Sequence, residues 1–318
     1  MRAPLVLLTL VACGPAGGGD NPTDGTTDTT GTADPFARFI NLDPSVTTTG
    51  DFSGFTPGTD WASTAWLEQS VDGTKVASAD LEGVVLDFEN DTPVEGATLN
   101  LWDSDLVSGT PDRVASSVLD GIVSTTASTC APLTYKVSTD PVLAETKTTF
   151  EAHQIYPAVE GGTITGAEFT SVSTTTYQLI PTLLGVSIDP DKAIVAGTAF
   201  DVARLAELPS DDNTGKIEGA QVIVYDAEGN IPDSLAVNYF IEDFPDRDQL
   251  HTSADGLWVA SNVPPGELRV ELWGNLDGVL TLLGATVVHS EADSINISNI
   301  YAGYGEGVKF PSSCVTAP

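Results

Sequence analysis

The sequence predicts an all-β protein built from two copies of one sandwich module, and three observations carry that reading. Beyond Phe36 the 318-residue chain is dominated by Thr, Val, Ser and Gly, with turn residues about every ten positions and few stripes of helical period. Apolar and polar residues alternate at Leu268, Val270 and Leu272 around Arg269 and Glu271, and again at Ile295 and Ile297 beside Asn296 and Ser298, as in strands that bury one face. A short pattern also recurs: aliphatic, Glu, Gly, Ala, any, aliphatic, any, aliphatic, at residues 94–101 and again at 217–224. Little helix is expected, with short and weak patterns at residues 62–70 and 201–208 alone.

Charge narrows the partners. Lys plus Arg number 12 against 45 Asp plus Glu, a net charge of −33, and no basic cluster offsets it locally. Such a surface repels phosphate backbones and anionic headgroups, so nucleic acid is excluded and cations or neutral ligands stay open. A hydrophobic content of 41% suits a folded chain of two or three domains. The acidic, Lys-poor surface also suits a high-salt habitat, where counterions screen self-repulsion.

Taken in order, residues 1–12 read as a signal peptide: Met1 and Arg2 form a minimal positive region and residues 4–12 a short apolar run. Leu10, Val11, Ala12 and Cys13 resemble the bacterial lipobox, which implies that Cys13 is acylated with palmitate-type chains and becomes the first residue after cleavage. Gly14 rather than Asp follows it, which by resemblance to enterobacterial sorting rules implies an outer-membrane lipoprotein, facing either the periplasm or the outside. An ordinary secretory signal with an incidental Cys is the alternative. Residues 13–35 hold no aliphatic residue larger than Ala after the Cys and read as a flexible, self-repelling tether. No later run approaches the length of a membrane-spanning helix, so the expected membrane contact is the lipid anchor.

Residues 36–79 contain strand-like pieces at 36–42 and 61–67, too little for a sandwich, and are expected to form an arm or add strands to the first module. The repeat then places the first module at 80–160, an inter-domain strand or linker at 161–182, and the second module with its tail at 183–318. The two modules are expected to fold as separate sandwiches. Gly83 precedes the first copy of the pattern by 13 residues to Gly96, and Gly197 the second by 22 to Gly219; the longer interval implies an inserted loop around Pro209 to Gly215. Asp120-Gly121 and Asp255-Gly256 follow, each read as a hairpin turn because Gly takes positive φ without steric cost.

These residues resemble the carboxypeptidase regulatory-like, or transthyretin-like, Greek-key sandwich. The second copy matches with Glu218-Gly219-Ala220, Thr252, Asp255-Gly256 and the run from Val263 to Val270 containing Pro264, Gly266 and Leu268. The first matches with Pro93, Gly96, Ala97, Asp120-Gly121 and Tyr135 to Val137, but Cys130, Ala131 and Pro132 stand where a Pro-x-Gly loop belongs. The resemblance implies two tandem Greek-key β-sandwiches and says almost nothing of function, since such modules serve as accessory, adhesive and carrier domains.

Candidate chemistry is sparse. The resemblance brings zinc carboxypeptidases to mind, but their catalysis needs a separate domain of closely spaced His and Glu ligands, and His153, His251 and His289 lie far apart and start no HxxE or HExxH pattern. No GxSxG elbow occurs. Asp211, Asp212, Asn213 and Glu218 form a weak Ca²⁺ candidate in the inserted loop, with Asp243, Asp246 and Asp248 in another; both read rather as solvated acidic loops, and neither fits an EF-hand. No cofactor is expected. Trp258, Trp273, Tyr225, Tyr239 and Phe240 could stack on sugars or pack in the core. Once Cys13 is acylated, Cys130 and Cys314 are the remaining thiols of an exported chain, and the even count predicts a disulfide; two idle thiols are the alternative. The reading is therefore a non-enzymatic envelope lipoprotein that scaffolds or binds a protein or glycan. The alternatives are a dedicated carbohydrate-binding or adhesion module, needing two aromatic rings exposed on one face, and a hydrolase with hidden carboxylates, needing a cleft with two convergent acids.

Overall fold

In the computed structural model, residues 34–52, 72–104, 106–142, 144–159, 162–201, 215–302 and 311–314 are described. The first copy contains β1 (Ser78–Asp87), β2 (Thr98–Trp102), β3 (Arg113–Ser116), β4 (Ile122–Ser128), β5 (Pro132–Ser138), β6 (Thr146–Ile155) and β7 (Thr163–Ser173). β1 lies between antiparallel β4 and parallel β7, while β5 lies between antiparallel β2 and β6, with β3 on the far side of β2. Period-two alternation turns Leu81, Leu99, Val123, Tyr135 and Phe169 inward, and the two layers close over that core.

The second copy repeats the scheme with β8 (Ala193–Phe200), β9 (Ala220–Tyr225), β10 (Ala236–Ile241), β11 (Phe244–Asp246), β12 (Leu257–Val263), β13 (Gly266–Leu276), β14 (Val279–Ser290), β15 (Ser294–Ile297) and β16 (Ile300–Tyr301). Here β8 lies between antiparallel β12 and the parallel pair β15 and β16, and β13 lies between antiparallel β9 and β14. The all-β sandwich organisation is thus present twice. One strand departs: β3 pairs with β2, whereas its counterpart β10 leaves β9 and pairs with β12 and β11.

The repeated glycines mark where backbones meet. β1 and β7 shift register at Glu82/Gly83, and a Cβ on Gly83 would sit 2.6 Å from the Ala167 carbonyl oxygen. Gly197 holds the same place on β8, where a Cβ would collide with the Ser298 carbonyl between β15 and β16. Gly121 and Gly256 take φ of 68° and 67° at the equivalent turns. These turns do not close hairpins as the sequence led us to expect: they feed β4 and β12, which pair with the first strand of each copy. The turn is fastened instead by a hydroxyl. Thr252 Oγ1 accepts from Ala220 N at 3.0 Å, and Ser117 Oγ, an equivalence not visible in the motif, accepts from Ala97 N at 2.9 Å.

The copies are not separate bodies. β15 pairs in parallel with β8 of its own copy and with β6 of the other, so one sheet runs from β11 to β3 across both. Lys136 to Glu291 at 2.8 Å and Lys147 to Asp293 at 2.6 Å tie the copies further. The segment expected as an inter-domain strand or linker, 161–182, supplies strand β7 and most of α2 (Thr174–Leu184), and β7 belongs to the first sandwich, which therefore extends past residue 160. α2 was hidden by its Thr-rich sequence and Pro181. Ser173 caps its start by accepting from Thr176 N at 3.0 Å, Gly185 at φ 73° ends it, and Tyr177 and Leu184 pack with Val172, Ile194, Val259 and Ile295 into a core shared by both copies.

Both ends cross over. Residues 36–42 form no strand; α1 (Pro35–Phe39), capped by Asp34, and the irregular chain to residue 52 lie on the second sandwich rather than adding to the first. Phe36 meets Trp273 edge-on with ring centroids 5.2 Å apart, Asn275 Nδ2 donates to the carbonyls of Pro44 and Val46, and Thr49 bridges to Glu218. Conversely, residues 311–314 lie on the first sandwich, where Asp72 N donates to Cys314 O at 2.9 Å and Cys314 is joined to Cys130 in a disulfide with Cα atoms 5.1 Å apart.

Candidate functional site

Because β10 abandons β9, the second sandwich opens along the seam between its layers, and the arm enters there. Gln221 on β9 organises the entry: its buried amide accepts from Asn41 N at 2.8 Å and donates to Asn41 Oδ1 at 3.0 Å and to Leu250 O at 2.6 Å. The arm, β9 and the loop after β11 are thereby fixed together around a small groove that is open to solvent. Phe39, Val237 and Tyr239 form its apolar part, and Tyr239 is held through its hydroxyl oxygen, which accepts from Val222 N at 2.8 Å, while burial raises its pKa.

The polar rim is unusual for so acidic a chain. Arg38 and Arg247 both line the groove. Arg38 donates to Leu235 O at 2.6 Å and to Asp233 O, and Arg247 donates to Leu183 O at 2.6 Å and Thr182 O at 3.3 Å, capping α2. Among the described residues neither forms an ion pair with a carboxylate, and Asp246 beside Arg247 is occupied by the N–H groups of Asp248 and Gln249. Asn238 also lines the groove, and its Oδ1 is buried without a hydrogen-bond partner. The arrangement places positive charge at the groove. Nothing in the sequence marks Arg38 and Arg247 as lining one groove, since 209 positions separate them (247 minus 38).

The residues singled out from sequence fare differently. Asp211, Asp212 and Asn213 lie outside the described residues, as do Cys13, the signal, the tether up to residue 33, and residues 61–67; Glu218 is exposed, with its main chain bridged to Thr49. Asp243, Asp246 and Asp248 do not converge: Asp243 N donates to Asp255 Oδ2 and Asp246 caps its own turn. Among the described residues no three His, Cys, Asp or Glu side chains assemble as a metal site, and no helix is long and apolar enough to cross a membrane.

The aromatic residues do not form a stacking platform. Trp258, Tyr239 and Phe240 are buried, Trp273 packs on Phe36, and Tyr225 stacks under the Arg269 guanidinium with 4.3 Å to its centroid. Burial, then the Glu271 carboxylate, raises the Tyr225 pKa. The histidines serve packing: His153 Nε2 meets Val287 O at 2.7 Å, His251 Nδ1 meets Thr252 O, and His289 packs on Phe150 across the junction, where burial lowers its pKa. One buried polar cluster escaped the sequence. Tyr135 donates to Glu151 and accepts from Thr170 N at 2.9 Å, with burial first and then Glu151 lifting the Tyr135 pKa well above 10.

No protein family's sequence profile matches the chain, and no curated protein does. Solved structures give weak likenesses. The TIE protein of Bacillus anthracis is 13% identical with a TM-score of 0.22, over 71% of this chain and 34% of that one, so the chain spans about a third of its length. The shaft pilin SpaA from Lactobacillus rhamnosus GG is 8% identical with a TM-score of 0.23, over 70% of this chain and 98% of its own. A chlorocatechol 1,2-dioxygenase from Pseudomonas putida is 15% identical with a TM-score of 0.23, over 37% of this chain and 71% of its own. At such scores the sandwich description rests on the chain's own strand pairing.

Proposed function

We propose that the protein is a non-enzymatic, lipid-anchored scaffold of the bacterial outer membrane, built from two carboxypeptidase regulatory-like modules and holding a protein or glycan partner away from the lipid surface. One observation carries the reading: a sheet shared by both modules is reinforced at both ends, by the arm on the second module and the disulfide-held tail on the first. Such an arrangement resists bending between the modules, which a hinged pair of catalytic domains would not need. The lipobox-like Leu10 to Cys13 and the Gly/Thr/Asp tether supply the anchor.

Labelling cells with a palmitate analogue tests it. The expected result is a labelled protein in the outer-membrane fraction, with Cys13→Ala giving unlabelled, soluble or unprocessed chain. A wild-type protein that takes no label, or that fractionates away from the outer membrane, would overturn the anchor.

A further inference from the structure

We propose that β3 is a docking edge for a second copy of this chain: the β3 strands of two molecules pair antiparallel about a two-fold axis and join their sheets. This goes beyond the scaffold reading and does not depend on the lipid anchor.

The sheet that runs across both modules ends in β11 and β3, and the two ends are built differently. β11 is three residues long with Pro245 at its centre, and the turn before it carries Glu242 and Asp243. Proline and charge are devices that stop a bare edge from recruiting another strand. β3 holds Arg113, Val114, Ala115 and Ser116, with no proline and no acid, and its one charge is answered by Asp103 at 2.7 Å. Asp120 is the single charged residue between positions 114 and 135. The edge is also uncovered: Val114 is 61% exposed, and Val118 and Leu119 beyond it are 60% and 69% exposed.

The main chain of β3 is turned to receive a partner. Ser117 N donates to Ala97 O at 2.8 Å, and Ala115 stands opposite Leu99 two residues back along the same ladder. Hydrogen bonding alternates along an antiparallel pair, so Ala115 and Ser117 face β2, while the N–H and C=O groups of Val114 and Ser116 point away from it. Those groups complement their own equivalents. With Ala115 on the axis, Val114 lies opposite Ser116 of the partner subunit and Ser116 opposite the partner's Val114, which makes about four main-chain hydrogen bonds, two for each facing pair.

Charge selects a second copy's β3 over the rest of its surface. At a net charge of −33, two molecules repel wherever acidic faces meet, and contact is restricted to a neutral surface such as this edge. Pairing one strand from each copy buries less than about 1,200 Å², so the association is reversible.

Sedimentation equilibrium of the lipid-free chain from Gly14 onward decides it, at concentrations up to roughly 500 µM and in about 0.1 M and 1 M NaCl. The expected result is a monomer–dimer equilibrium that tightens at least about threefold at the higher salt, because screening removes repulsion and leaves main-chain bonds and apolar contact in place. Ser116→Pro removes an outward N–H from each strand and should abolish the dimer. Val114→Glu brings like charges together near the axis and should weaken it at least roughly tenfold at the lower salt. Since Val114 is exposed, that variant should keep the wild-type melting temperature. Phe244→Glu, on the opposite end of the sheet, should leave the dimer intact. A chain that stays monomeric in both salts, a dimer that salt dissociates, one that survives both β3 variants, or one that Phe244→Glu removes would each overturn the proposal.

Discussion

At Gly197 the closing strands of the second sandwich cross β8 so closely that a methyl group has no room, because the obstacle is the Ser298 main chain and not a side chain that could swing aside. Gly197→Ala should therefore destabilise the protein by about 3–5 kcal/mol, in the range of the severe overpacking and strain mechanisms. Gly73→Ala is the matched control, since nothing lies within 4 Å of its added Cβ. Guanidinium titration of both variants checks this, and similar midpoints for the two would show that the strand crossing relaxes. The position was legible in the sequence as a repeated Gly, and the structure adds the reason. Residues acting across long separations were not legible: neither the Tyr135–Glu151 pair nor the groove that Arg38 and Arg247 both line leaves a trace in local spacing.

β13 could be read from the chain through Leu268, Val270 and Leu272, which alternate with Arg269 and Glu271, because burial on one face imposes period two. α2 and the arm could not. Thr-rich α2 has poor intrinsic helix preference and exists through its caps and its buried face, while the arm is held by single side chains of the second sandwich. The division into separable modules fails for the same reason, since β15 serves two partners and the arm covers part of the second core through Phe39 and Phe52. A fragment of residues 183–318 should accordingly melt well below the whole chain and should regain stability when a peptide of residues 34–52 is added in trans. Differential scanning calorimetry at increasing peptide concentration would show a rising transition. A fragment that melts like the intact protein and ignores the peptide would restore independent modules.

Across the whole molecule, the bridge between Cys130 and Cys314 closes a loop of 184 intervals and fastens to the first sandwich a tail that follows the second. Chain entropy allows about 5 kcal/mol for so long a loop, and measured gains commonly fall below that figure. Reduction, or the double change Cys130→Ser with Cys314→Ser, should lower the denaturation midpoint by the equivalent of about 2–4 kcal/mol and free residues 311–314 for proteolysis. Equal midpoints under oxidising and reducing conditions would show that the tail stays in place through Asp72 and the packing of Cys314 alone. The pairing was expected from the two thiols that remain once Cys13 is set aside as the proposed lipid anchor, a count that needs no reference to distance.

The same bridge also sets an order of events as the chain is made. Cys130 comes early and has no partner until the second sandwich has followed in full, so its oxidation records that the intervening chain is present. A chain cut short before Cys314 carries an open thiol on its first sandwich and lacks the strap, even with every strand of both copies made. Such a molecule is marked chemically as unfinished, available to mixed-disulfide capture by an oxidoreductase or to a protease, while the completed one hides both sulfurs in its interior.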